Sequence, residues 1–132
     1  MKINRVKKSR IDGVDFENLT FGKIFTDHMF VSEYKNGEWS SGEIKPYENI
    51  SISPSARVLH YGQAIFEGMK CFKSEQDELF LFRPEENFKR FNKSSVRLAI
   101  PEIDQNIFFN GLKELLMIDS EWVKKGIGNA LY

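Results

Sequence analysis

Two prolines, Pro84 and Pro101, restrict this chain more than any other feature. Each fixes its own φ and lacks a backbone donor, so a helix can open at the first and must close before the second. Glu85 and Glu86 follow the first proline, where the positive end of a helix dipole favours acids. Phe88, Phe91, Ser95, Leu98 and Ala99 then fall on one side at helical spacing, which predicts a helix over 83–99 whose apolar side packs on a sheet. A second helix is expected from Asp104, available as a cap, to about Trp122. Ile107, Phe108, Gly111, Leu112, Leu115, Ile118 and Trp122 make its continuous apolar stripe, and Gly126 and Gly128 signal its stop.

Ahead of these helices the chain reads as strands. Residues 29–35 form one, Asn36-Gly37 suits the positive φ angles of a tight hairpin turn, and Glu38-Trp39-Ser40 begins the return. Pro46 and Pro54 bracket an alternating stretch, 47–53, compatible with an extended segment. Residues 69–72 and 78–82 are apolar runs separated by the polar Lys73-Ser74-Glu75-Gln76-Asp77, which suggests a second hairpin. Strands followed by helices, without regular alternation, imply an α+β fold in which two helices cover one face of a predominantly antiparallel sheet. A parallel nucleotide-binding sheet does not fit this order.

At 132 residues and 41% hydrophobic composition the chain suffices for one ordinary domain, and no repeat or Gly/Ser/Pro-rich linker divides it. Residues 16–132 read as one folding unit. Residues 1–15 read as a flexible basic leader, carrying Lys2, Arg5, Lys7, Lys8 and Arg10 without the apolar core of a secretory signal or membrane span. Asp12, Asp15 and Glu17 argue against an organelle-targeting peptide. Nineteen basic residues balance nineteen acidic ones, so the overall charge draws the chain toward neither nucleic acid nor membrane, and the leader lacks the interleaved aromatics of a nucleic-acid surface. The expected partner is a small molecule or another protein. Cys71 is the sole cysteine, with no metal-ligand spacing around it; it fits a reducing cytoplasm as a buried, inert thiol.

Arg90 lies on the flank of the first helix's apolar stripe, where a guanidinium could offer a planar fork of donors to a phosphate, and Arg97 lies two turns further along the same flank. By residue type alone, either is more simply a surface charge or a structural ion pair. Tyr61-Gly62 places a phenol beside a residue without a side chain, an arrangement open to a ligand but also common in cores. Phe21 and Phe66 read equally as core or pocket. His28 and His60, isolated from any nucleophile, read as structural, and Glu67 beside Gly68 as a maker of local hydrogen bonds. Neither a phosphate loop nor a dinucleotide fingerprint occurs.

Four runs occur in a telling order: Leu19-Thr20-Phe21-Gly22-Lys23-Ile24-Phe25-Thr26-Asp27-His28-Met29, then Val58-Leu59-His60-Tyr61-Gly62-Gln63-Ala64-Ile65-Phe66-Glu67-Gly68-Met69-Lys70, then Leu81-Phe82-Arg83-Pro84-Glu85-Glu86-Asn87-Phe88-Lys89-Arg90-Phe91, and finally Gly128-Asn129-Ala130-Leu131-Tyr132. Together they resemble the signatures of the branched-chain amino acid aminotransferases, class IV pyridoxal-phosphate enzymes, over residues 16–132. The resemblance implies the small N-terminal domain of the fold-type IV enzymes. It implies an enzyme of branched-chain amino acid biosynthesis, cytoplasmic and homodimeric, that transfers the amino group of leucine, isoleucine or valine to 2-oxoglutarate.

The resemblance also assigns residues. Arg90 anchors the phosphate of pyridoxal 5'-phosphate, which leaves Arg97 structural. The Tyr61 hydroxyl joins the network at the substrate carboxylate, and Phe21, Phe66 and Tyr132 line the substrate pocket. The arginine that should follow Tyr132 is absent. The family's cofactor-bearing lysine belongs to a C-terminal domain that these residues lack, and neither Lys70 nor Lys89 matches it. No catalytic residue is therefore assigned, and the isolated chain is expected to be inactive. A D-amino-acid aminotransferase or an aminodeoxychorismate lyase is the alternative within the fold type, opposed by Phe21 and the 25–29 run. A stand-alone anion-binding or assembly module is the alternative outside it.

Overall fold

The computed structural model describes all 132 residues. Strand β1 (Lys2–Ile3) and strand β2 (His28–Val31) flank β5 (Glu43–Pro46), which pairs with β1 in parallel and with β2 antiparallel. Strands β3 (Tyr34–Lys35) and β4 (Glu38–Trp39) form a hairpin, as do β6 (Cys71–Lys73) and β7 (Leu79–Leu81). Helix α1 (Arg57–Tyr61) precedes the second hairpin, and α2 (Pro84–Arg97) and α3 (Gln105–Ile118) follow it.

Both expected hairpins form for the anticipated reasons. Asn36 and Gly37 take φ of 55° and 91°, the doubly positive geometry that matches strand twist in a two-residue turn. Pro84 is the first residue of α2, and the side chain of Asp104 caps α3 by accepting from the backbone N–H of Asn106 and Ile107. Helix α3 stops at Ile118 rather than Trp122, and residues 120–122 tighten into a 3-10 turn that turns Trp122 and Val123 into the interior.

The arrangement departs from one covered sheet. The strands form three small sheets, of three, two and two strands, with one parallel strand pair. The 47–53 stretch makes no strand, and the preceding residues do so as β5, because Pro46 is tolerated at the end of a strand. Helix α3 lies on β2 and β5. Helix α2 instead packs ring to ring on α3: Phe88 meets Phe108 and Phe109 at 5.3 and 5.5 Å, and Phe91 meets Phe108 at 5.8 Å between centroids. Asn92 secures the connection, donating to the carbonyl of Ile103 and accepting from its N–H, both at 3.0 Å.

Residues 1–15 keep mostly exposed side chains, yet their backbone is fastened at several points. Beyond the β1–β5 pairing, Val6 donates to His28 Nε2 at 3.0 Å and Arg10 donates from its backbone to Asp27 at 2.9 Å. His28 and Asp27 are both buried. Since His28 Nε2 accepts, Nδ1 carries the proton, which it donates to Asp119 at 2.6 Å while the His28 backbone N–H donates to the other carboxylate oxygen at 3.0 Å. Asp27 also accepts from Trp122 Nε1 at 3.0 Å and Ser9 Oγ at 2.5 Å. Burial raises its pKa, but these donors together outweigh burial and hold the carboxyl below the usual aspartate value.

Few side chains are buried: Ile44, Cys71, Trp122 and Val123 are the apolar ones. The chain exposes 9920 Å². A compact monomer of its 15.4 kDa exposes about 7,200 Å², so roughly 2,700 Å² of surface remains uncovered. No helix is long and apolar enough to cross a membrane.

The Phe30 ring of β2 is held between Gly42 and Gly111, where a Cβ on either glycine would run into it. Gly111→Val should therefore lower unfolding stability by about 1–3 kcal/mol through overpacking, against any gain in helix propensity. An unchanged urea midpoint would show that the ring does not occupy this slot. Asp119→Ala strands two buried donors of His28 and should cost on the order of 3 kcal/mol. Hydrogen exchange at Val6 should rise with it, whereas retained protection would mean that the N-terminal segment is held without His28.

Candidate functional site

Glu67 organises the surface around the assigned residues. Its side chain is only 8% exposed and meets donors from three directions. Arg90 Nε donates to Oε2 at 2.7 Å and Arg90 Nη2 to Oε1 at 2.5 Å; Asn87 Nδ2 and the backbone N–H of Gly68 each donate to Oε1 at 3.0 Å. Asn87 also donates to the carbonyl of Gly68 at 3.0 Å. Asn87 and Arg90, nearly one turn apart on α2, thus clip the helix to the segment that leads into β6. Two parallel N–H donors from a planar guanidinium fix the Arg90 rotamer, which a single contact would not.

Arg90 stays 60% exposed while anchored in this way, so its remaining N–H groups face outward. It lines an open concavity of about 630 Å³ with Ile65, Phe66, Lys93, Arg97 and Leu98. Neither Lys93 nor Arg97 enters an ion pair. Of the two plain readings of Arg97, a surface charge or a structural ion pair, the structure shows the exposed surface charge, lining the same concavity as Arg90. The donors of Arg90, the cations beside it and the apolar wall of Ile65, Phe66 and Leu98 fit a phosphate attached to a flat organic ring.

The other assigned residues divide into two groups. Phe21 and Tyr132, far apart in sequence, lie 5.2 Å apart between ring centroids. The Tyr132 hydroxyl comes so close to Gly68 that any side chain there would collide with it, which places this ring pair beside Glu67. Leu131 exchanges backbone hydrogen bonds with Cys71, and that bridge delivers Tyr132 to its position. Tyr61 stands apart at the end of α1, where Gly62 closes the helix at φ 61°, and its ring neighbour is His60. All of these rings are open to solvent: Phe21 80%, Tyr61 83%, Phe66 87% and Tyr132 61% exposed. None of them is enclosed in a pocket.

Glu67 and Asn87 are the residues whose part sequence reasoning missed. An acid flanked by Gly68 signals close backbone approach, but pairing across 23 residues with Arg90 leaves no trace in periodicity. Cys71 is 2% exposed, and burial pushes its thiol pKa up, which suits a packing role. His60 donates to the carbonyl of Pro54 at 2.7 Å and holds α1 to the loop before it.

The Arg90 donors hold the Glu67 carboxyl below its ordinary range; burial opposes them, and Asn87 and the Gly68 N–H add to the lowering. A carboxylate with a depressed folded pKa stabilises the fold fully above its unfolded value and loses that contribution as pH falls through the folded one. The stability difference between the chain and Glu67→Gln should therefore be full above pH 4.5 and close below it. Urea unfolding across that range measures it, and a difference independent of pH would contradict an ionised Glu67 in the clip.

No family model matches the chain. Curated relatives do. The chain is 47% identical over 119 residues to branched-chain-amino-acid aminotransferase 2 of Bacillus subtilis (strain 168). It is 46% identical over 119 residues to a probable branched-chain-amino-acid aminotransferase of Staphylococcus epidermidis, and 42% identical over 120 residues to a branched-chain-amino-acid aminotransferase of Monosiga brevicollis. The Bacillus match covers 89% of this chain and 33% of the relative, so the chain spans about a third of the length of such relatives. Over that third, the chain is a sequence relative of the branched-chain-amino-acid aminotransferases.

Proposed function

We propose that the chain is the N-terminal domain of a branched-chain amino acid aminotransferase, residues 16–132 forming the domain and residues 1–15 its leader. The enzyme moves the amino group of leucine, isoleucine or valine to 2-oxoglutarate. The single observation that carries the reading is Arg90, locked by Glu67 with donors to spare at the mouth of a concavity walled by Phe66. The relatives' names favour this chemistry over a D-amino-acid aminotransferase or an aminodeoxychorismate lyase.

Pyridoxal 5'-phosphate, once bound, supplies the electron sink for chemistry at the amino acid's α-carbon. Arg90 would hold its phosphate through charge-assisted hydrogen bonds, and Glu67 and Asn87 would keep the guanidinium aimed. Phe21, Phe66 and Tyr132 would receive a branched aliphatic side chain, where each buried methylene contributes about 0.8 kcal/mol. The Tyr61 hydroxyl would donate to the substrate carboxylate. The cofactor-bearing lysine would come from outside these residues. An uncovered area of roughly 2,700 Å² on this side alone agrees with that division, since a standard interface buries only about 800 Å² per partner. A homodimer in the cytoplasm completes the reading.

The test joins this chain to a polypeptide matching the other two thirds of the Bacillus subtilis relative and measures leucine-dependent formation of glutamate with pyridoxal phosphate. The joined protein should be active and the chain alone inactive. Arg90→Ala in the joined protein should retain cofactor at least tenfold more weakly, on the order expected for two charge-assisted hydrogen bonds. Cofactor retention unchanged by Arg90→Ala would remove Arg90 from the phosphate site. A folded, joined protein with no activity toward any branched-chain amino acid would overturn the function.

A further inference from the structure

The Arg90 clip poses an electrostatic difficulty. A phosphate monoester carries close to two negative charges, yet the guanidinium offered to it is already paired bidentately with Glu67, and the two formal charges cancel. Glu86, on the same helix, adds a further negative charge near Arg90 and is itself paired with Lys89 at 2.9 Å. Arg90 can therefore orient a phosphate through directional hydrogen bonds while providing little net attraction.

The surplus positive charge lies next along the helix. Lys93 and Arg97 follow Arg90 at i+3 and i+7, which places them on the same face, about 4.5 and 10.5 Å further along the axis. Both line the concavity with Arg90, and its lining contains no carboxylate. Another concavity, beside Phe16, differs: Lys73, Lys124 and Lys125 there are matched by Asp12, Asp77 and Glu121. In a chain of zero net charge, two unpaired cations, Lys93 and Arg97, beside the neutralised Arg90–Glu67 pair make a local positive field of the kind that concentrates anions.

We propose that Lys93 and Arg97 form the charge-bearing part of a phosphate-ester site in the Ile65–Phe66–Leu98 concavity, with Arg90 fixing the direction of the phosphate. This deepens the cofactor reading above and rests on it, but it assigns the attraction to residues other than the anchor. Arg97 also closes α2, where a cation complements the helix dipole, so replacing it can cost some stability. Affinity measured on folded protein separates that effect from binding.

The probes are inorganic phosphate, pyridoxine 5'-phosphate and pyridoxine. None carries an aldehyde, so none reacts with a lysine. Calorimetric titration of the full chain should show tighter binding of pyridoxine 5'-phosphate than of pyridoxine, weakened by salt. Lys93→Gln with Arg97→Gln should weaken binding of both phosphates about tenfold, flatten the salt dependence and leave pyridoxine unaffected. Lys7→Gln with Lys8→Gln, exposed in the leader and outside the lining, is the matched loss of two charges and should change affinity little. Circular dichroism confirms folding, and Lys93→Gln alone serves where the double variant does not fold.

Unchanged phosphate affinity in the Lys93 and Arg97 variants would overturn the proposal. Should Arg90→Ala still weaken binding in that case, the anchor reading survives without it. An unaffected Arg90→Ala beside a weakened double variant would do the reverse. Equal affinity for the two pyridoxine forms on the unaltered chain would overturn the proposal as well.

Discussion

Buried carboxylates hold this chain together where an apolar core would ordinarily do so. A carboxylate removed from water must be supplied with donors, and each donor it recruits fixes the segment that carries it. Asp27 draws in Ser9, Arg10 and Trp122; Asp119 draws in both the ring and the backbone of His28; Glu67 draws in Asn87 and Arg90. Every one of these links joins residues distant in sequence. With only four apolar side chains buried, they determine which segments meet.

The same device connects fold and chemistry. The Asp27–His28–Asp119 cluster fixes β2 against the end of α3, and α3 in turn carries the phenylalanines on which α2 rests. Helix α2 then presents Asn87 and Arg90 to Glu67. Substitutions near the N-terminal segment can thus reach the Arg90 face through a continuous set of packed and hydrogen-bonded elements, without touching it directly. Such coupling is a matter of rigidity: a guanidinium aimed by two parallel bonds is useful only if the helix beneath it does not move.

Local features of the fold were legible in the sequence, and their assembly was not. Pro84, Asp104 and Asn36-Gly37 act on their own backbone within a few residues, so cap and turn chemistry identifies them without further context. The single covered sheet failed because apolar periodicity reports that a face is buried but not what buries it. Phe88 and Phe91 serve equally well against a sheet or against Phe108 and Phe109. The strand at Glu43–Pro46 was hidden by its terminal proline, and α1 by its brevity. At the site, Arg90 carried its own resemblance. Glu67 did not, because its importance lies in a partner 23 residues away, and Lys93 and Arg97 gain meaning only from a shared lining that holds no acid to pair with them.

The exposed rings fit this picture better as half of an interface than as a finished pocket. Large apolar side chains left in water reward anything that covers them, at about 25 cal/mol per Å², and Phe21, Phe66 and Tyr132 lie beside the Glu67–Arg90 clip. Covering that face would also lower the dielectric around Arg90, Lys93 and Arg97. Charges that attract an anion weakly in open water would then attract it strongly. The geometry therefore separates two tasks. The clip sets the direction of a guanidinium before any ligand arrives, and closure over the face would strengthen the pull of Lys93 and Arg97.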